Sequence, residues 1–150
     1  MQIFSKLEDV LDFAISQEQA AQRFYNDLSK KMTDPAVQEL YRTLAQQEKT
    51  HEQHLKGMKK AEGTLDDSDL QTVIKSGYLN TRNVPAGIPM KEAIGFALEK
   101  EKSAHMLYAL LADLIENKEL AKLFRMLAEE ESKHAEYFKK QYDKYAGGDN

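Results

Sequence analysis

Residues 44–51 read Leu-Ala-Gln-Gln-Glu-Lys-Thr-His, and residues 127–134 read Leu-Ala-Glu-Glu-Glu-Ser-Lys-His. Each segment places a glutamate three residues before a histidine, Glu48 with His51 and Glu131 with His134. The match extends outward from there. A shift of 83 positions aligns residues 14–58 with 97–141 without a gap, with twelve identities in 45 positions. They include Glu18/Glu101, Ala21/Ala104, Tyr25/Tyr108 and Leu44/Leu127. The sequence reads as one helical hairpin used twice.

Four long amphipathic helices follow from the periodicity and the stop signals. The first is expected from about Ser5 to Met32, opened by a capping box of Ser5 and Glu8. Asp34-Pro35 supplies an N-cap and a proline at the first helical position, so a second helix runs from there to about Lys60. A third is expected from Pro89-Met90 to about Glu116. Asn117 caps a fourth, which ends before Gly147-Gly148. Between the second and third helices, residues 61–88 carry Gly63, Gly77, Pro85 and Gly87 and read as a connector, with one short helix around Ser68 to Lys75. Short, long, short connections make two antiparallel hairpins joined by one long crossover, an all-α, ferritin-like four-helix bundle. The expected domain is 1–146, with 147–150 a frayed tail.

Steps of three and four along each helix trace one stripe. The stripes are Leu7, Leu11, Ala14, Glu18, Ala21, Tyr25, Leu28, Met32 in the first helix, and Val37, Tyr41, Leu44, Glu48, His51, Leu55, Met58 in the second. The third carries Met90, Ile94, Ala97, Glu101, Ala104, Tyr108, Leu111, Ile115, and the fourth Leu120, Phe124, Leu127, Glu131, His134, Phe138. All are apolar or small except near mid-helix, where a glutamate, or a glutamate and a histidine, interrupts them. Buried ionised carboxylates are costly unless paired or bound to a cation.

The heights agree as well. Glu18 and Glu48 each lie 15 residues from Thr33 at the first turn, and Glu101 and Glu131 each lie 15 from Glu116 at the second. Residues equidistant from the turn of an antiparallel hairpin share one level, so the four glutamates and two histidines are expected to converge. Two divalent cations would balance four carboxylates. Carboxylates with two imidazoles suit iron or manganese, and zinc can also bind.

Composition removes competing chemistries. The sequence has no cysteine, so Cys-ligated iron, thiol nucleophiles and disulfide redox are excluded for it. A net charge of −4 without a basic stripe gives no support to nucleic-acid binding. No apolar run approaches the roughly 18 residues that cross a bilayer. The N-terminus lacks the blocks of a signal peptide, so a cytoplasmic location is expected.

This layout resembles the rubrerythrin branch of the ferritin-like superfamily over all four helices, the ligand set being that of di-iron bundles. The resemblance implies two iron ions. Glu18 and Glu101 would be terminal ligands, Glu48 and Glu131 would bridge, and His51 and His134 would each cap one metal. Tyr25 and Tyr108 would hydrogen-bond to ligand carboxylates. It implies reduction of hydrogen peroxide or dioxygen, electrons from a separate rubredoxin-like donor, and a homodimer. Rubrerythrins proper carry a further glutamate where this chain has Ala104. His105, one turn after Glu101, is a candidate extra ligand in its place, or else a hydrogen-bonding, partly exposed histidine. His54, Glu52, Glu129, Glu130 and Glu136 read as exposed. Two other functions are open: iron handling as a ferroxidase, and a structural metal-binding bundle.

Overall fold

A computed structural model describes residues 4–60, 65–80, 84–85 and 87–146. It divides into two compact units, residues 1–64 and 65–150. Among the described residues the regular structure is five α-helices.

The first unit is a hairpin of α1 (Leu7–Lys31) and α2 (Pro35–Met58). α1 starts two residues later than the sequence suggests, and by another device. The Asp9 carboxylate, not that of Glu8, reaches back to accept from Ser5 N, Ser5 Oγ and Lys6 N at 2.8, 2.9 and 3.1 Å. With Lys6 as N-cap, Asp9 is the third helical residue, the position from which a short carboxylate reaches the cap. Residues 32–34 form the turn. Asp34 Oδ1 accepts from Ala36 N at 2.9 Å, and Pro35 takes the first helical position as expected. Ser29, buried, donates to the Gln38 carbonyl at 2.9 Å, and Gln38 Nε2 donates to the Met32 carbonyl at 2.6 Å. The second of these bonds gives a partner to the carbonyl of the α1 C-cap, which the helix itself leaves without one.

In the second unit, α3 (Asp67–Lys75) lies within the connector and is capped by Asp66, which accepts from Asp69 N at 2.7 Å. Gly77 follows it with φ +84°, a conformation glycine adopts without a side-chain clash. α4 (Met90–Leu114) and α5 (Lys118–Ala146) form the second hairpin. Asn117 Oδ1 accepts from Glu119 N and Leu120 N at 3.0 and 3.1 Å, as its N-cap reading requires. Gly95 lets the helices approach: a Cβ there would stand 3.2 Å from the Tyr142 ring. Gly63 of the connector and the expected 147–150 tail lie outside the described residues.

The four stripes are the buried faces. Met32, Val37 and Met90 at helix ends are half-buried, as are the equivalent Ala21 and Ala104; the other stripe positions are buried. Leu55, Leu111, Phe124, Leu127 and Phe138 are fully enclosed. Each such side chain contributes about 1.5–3 kcal/mol on leaving water, which sets the level against which the buried glutamates must be explained. No helix among the described residues is long and apolar enough to cross a membrane.

Candidate metal centre

In the first hairpin Glu18, Glu48 and His51 are 2%, 1% and 1% exposed, so a solvated surface cannot account for their charge. His51 Nδ1 stands 3.6 Å from Glu18 Oε2 and 3.6 Å from Glu48 Oε1. Ligand atoms of the three side chains lie within 4.8 Å of one another. The second hairpin repeats the arrangement. Glu101, Glu131 and His134 are all buried, and His134 Nδ1 stands 3.5 Å from Glu101 Oε2 and 4.0 Å from Glu131 Oε1.

The distances discriminate between two explanations. A hydrogen bond from imidazole to carboxylate would close to about 2.7–3.2 Å. Two donor atoms held about 2.1 Å from one ion, at about 110–120°, lie about 3.5 Å apart. Three of the four spacings, 3.5–3.6 Å, match the second case and the fourth, 4.0 Å, is too long for a hydrogen bond; nitrogen with carboxylate oxygen is the donor set that iron, manganese and zinc accept. Each hairpin therefore holds a half-site fitted to a divalent cation. The spacing that makes it is local: Glu48 and His51 lie three apart on α2, Glu131 and His134 three apart on α5, and the antiparallel partner supplies the remaining glutamate at the same height.

Tyr25 and Tyr108, two turns beyond Glu18 and Glu101, are buried at 2% exposure. The Tyr108 ring stacks on Phe124 with centroids 6.1 Å apart. Ala104 leaves no carboxylate one turn after Glu101. His105 is half-buried and donates from Nδ1 to the Ala128 carbonyl at 2.8 Å; among the described residues it does not join the ligand clusters. Half-buried Lys100, the chain neighbour of Glu101, has its pKa lowered by desolvation.

Three sequence expectations need correction; the simplest is Glu130, which is half-buried rather than exposed, whereas Glu129 and Glu136 are exposed. Glu52 is not a solvated surface residue: its side chain is 12% exposed and takes bonds from Gln19 Nε2 at 2.9 Å, Gln22 Nε2 at 2.7 Å and Lys56 Nζ at 2.7 Å. Lys56 first, then the two glutamines, hold its carboxyl down to about 2. The signal was present as a Glu52/Lys56 pair at i, i+4 and two glutamines a turn apart on α1, but only the pairing of α1 with α2 connects them. His54 is half-buried rather than exposed, and its Nδ1 is shielded from solvent without a hydrogen-bond partner.

The comparisons place this geometry in a class. A solved structure from Thermotoga maritima, described as a ferritin-like diiron-carboxylate protein, superposes with a TM-score of 0.69 at 21% identity, covering 93% of this chain and 95% of that one. The fold is accordingly the ferritin-like four-helix bundle, two hairpins joined by a long connection. The rubrerythrin family model matches residues 9–83 and 92–150, and the chain belongs to the rubrerythrin family. No curated protein matches the sequence.

Proposed function

We propose that the two half-sites work as one dinuclear centre that holds two iron ions and reduces hydrogen peroxide or dioxygen. The observation that carries this reading is the duplicated, buried Glu, Glu, His set with metal-like spacing in each hairpin. Four carboxylates balance two divalent ions, so the filled site is neutral and the burial of the glutamates is explained. Iron supplies two electrons, one per ion, which with two protons suffice to take hydrogen peroxide to two waters.

The chain's own residues do the rest. Glu48 and Glu131 would be the carboxylates shared by the two ions. Glu18 and Glu101 would serve one ion each, and His51 and His134 would each hold one metal by nitrogen. Tyr25 and Tyr108 hydrogen-bond to ligand carboxylates and limit their swing. Leu55, Phe124, Leu127 and Phe138, all fully enclosed, keep bulk water from the ligands. Electrons come from a rubredoxin-like donor, and the working form is a homodimer.

Anaerobic reconstitution with ferrous ion tests the reading. Two irons per chain are expected, with both oxidised by one equivalent of hydrogen peroxide and an oxo-to-iron charge-transfer band appearing. A plateau at one ion or none would falsify the paired centre. Loading far beyond two irons per chain would assign the protein to iron storage.

A further inference from the structure

We infer that Glu52 is a positioning residue for the first half-site, and that it makes divalent metal bind there ahead of the second. This rests on the two-metal reading above. Glu52 adjoins His51 on α2, and Gln19 adjoins Glu18 on α1. Gln19 Nε2 and Gln22 Nε2 donate to opposite oxygens of the Glu52 carboxylate at 2.9 and 2.7 Å, and Lys56 Nζ stands 2.7 Å from Oε2. One nearly buried carboxylate thus joins the chain neighbours of two ligand residues across the hairpin. It touches neither ligand through these bonds. It fixes the rotation and separation of α1 and α2 at the height where both ligands leave the backbone.

Hydrogen bonds to an ionised acceptor are roughly twice as strong as neutral ones, so this clamp holds without metal. Ligands ordered in advance lose less entropy when the ion arrives, and affinity rises accordingly. The second hairpin cannot build the same clamp. The positions equivalent to Gln19, Gln22, Glu52 and Lys56 are Lys102, His105, Ala135 and Lys139. Ala135 has no acceptor, and Lys139 pairs with Asp143 on its own helix at 3.2 Å. His105 meets the Ala128 backbone, a neutral acceptor. Two half-sites with matching ligands therefore differ in how firmly those ligands are held.

The test is an anaerobic titration of the metal-free chain with cobaltous ion, read by visible absorption, in the wild type and in His51→Ala and His134→Ala backgrounds. Two separated steps are expected, the tighter one retained in His134→Ala and lost in His51→Ala. Glu52→Ala should weaken that tighter step about ten- to hundredfold and shift its absorption band, leaving the step measured in His51→Ala unchanged. The Gln19→Ala/Gln22→Ala pair leaves Glu52 with Lys56 and should act in the same direction, which covers the case of a poorly folded Glu52→Ala chain. Glu52→Gln keeps an acceptor for one glutamine and should fall between. Equal affinities in the wild type, or equal weakening of both steps by Glu52→Ala, would overturn the inference, the latter being what a general loss of stability produces. Binding of at most one ion by the wild type would instead refute the two-metal reading.

Discussion

The two hairpins carry one ligand pattern on different supports. Glu18, Glu48 and His51 answer to Glu101, Glu131 and His134 position by position, and both sets are buried with nitrogen-to-oxygen spacings of 3.5–4.0 Å. Outside the stripe the halves diverge. The first fills the flank between its helices with a carboxylate, two amides and an ammonium, whereas the second has Ala135 there and joins His105 to a backbone carbonyl. The stripe is constrained by the metal chemistry and by core packing together. The flank is free of both constraints, so its side chains differ between the halves, and with them the support given to the buried glutamates and histidines.

The largest effect that separates the halves is expected in the core, one turn beyond each histidine. Leu55 and Phe138 occupy equivalent positions and are both 0% exposed. Leu55→Ala should cost about 2–5 kcal/mol and Phe138→Ala about 3–5 kcal/mol, since each leaves a cavity that rigid neighbours only partly fill. Denaturant unfolding of the metal-free chain measures both. Losses under about 1 kcal/mol at either site would mean that the hairpin is loosely packed there, and that the histidines are not held in a close-packed wall.

A smaller difference should appear only in acid. The Glu52 carboxyl is held at about 2 against an ordinary 4.5, by Lys56 first and then Gln22 and Gln19. A carboxyl depressed in the folded state adds stability that is complete above its unfolded value and disappears as pH falls through the folded one. The window is therefore from about pH 5 down to about pH 2. Lys56 is 56% exposed, so solvent screens part of the attraction and the contribution is about 1–2 kcal/mol. The stability advantage of wild type over Glu52→Gln should close across that window in metal-free protein. A difference that does not change with pH would show that packing, not charge, holds the flank together.

This contrast also explains what could be read from the residues alone. A period of three and four finds the face a helix buries, and the repeat doubles each assignment, so the helices, both hairpin turns and the buried glutamate and histidine positions were legible. Periodicity does not report what lies beside the stripe. Glu52 looked solvated because the residues that cover it, Gln19 and Gln22, lie about 30 positions away and meet it only through α1–α2 pairing. At the start of α1 the difficulty is different. Glu8 and Asp9 are adjacent acids, and the choice between them depends on which residue begins the first turn, a matter of one position that composition does not decide.

The smallest expected effects lie at the hairpin turns, where the halves are again equivalent: Asp34 and Asn117 occupy matching positions and both cap the following helix. Asn117 Oδ1 serves two backbone donors, Glu119 N and Leu120 N, whereas Asp34 Oδ1 serves Ala36 N. Asp34 compensates with a full charge at the positive end of the helix dipole, and Pro35 presets the first helical φ whether or not the cap is present. Each alanine substitution should cost about 1 kcal/mol, with Asn117→Ala the larger by a few tenths because no proline supports its helix start. Both caps stand 14 residues from the nearer Glu-x-x-His glutamate, about 20 Å along the helix axis, so metal stoichiometry should not change. Unfolding midpoints of the two variants, with metal content measured alongside, give the answer. If Asn117→Ala kept its stability but lost an ion, the turn would be setting the height match between Glu101 and Glu131, and the second half-site would depend on its loop in a way the first, with its Glu52 clamp, does not.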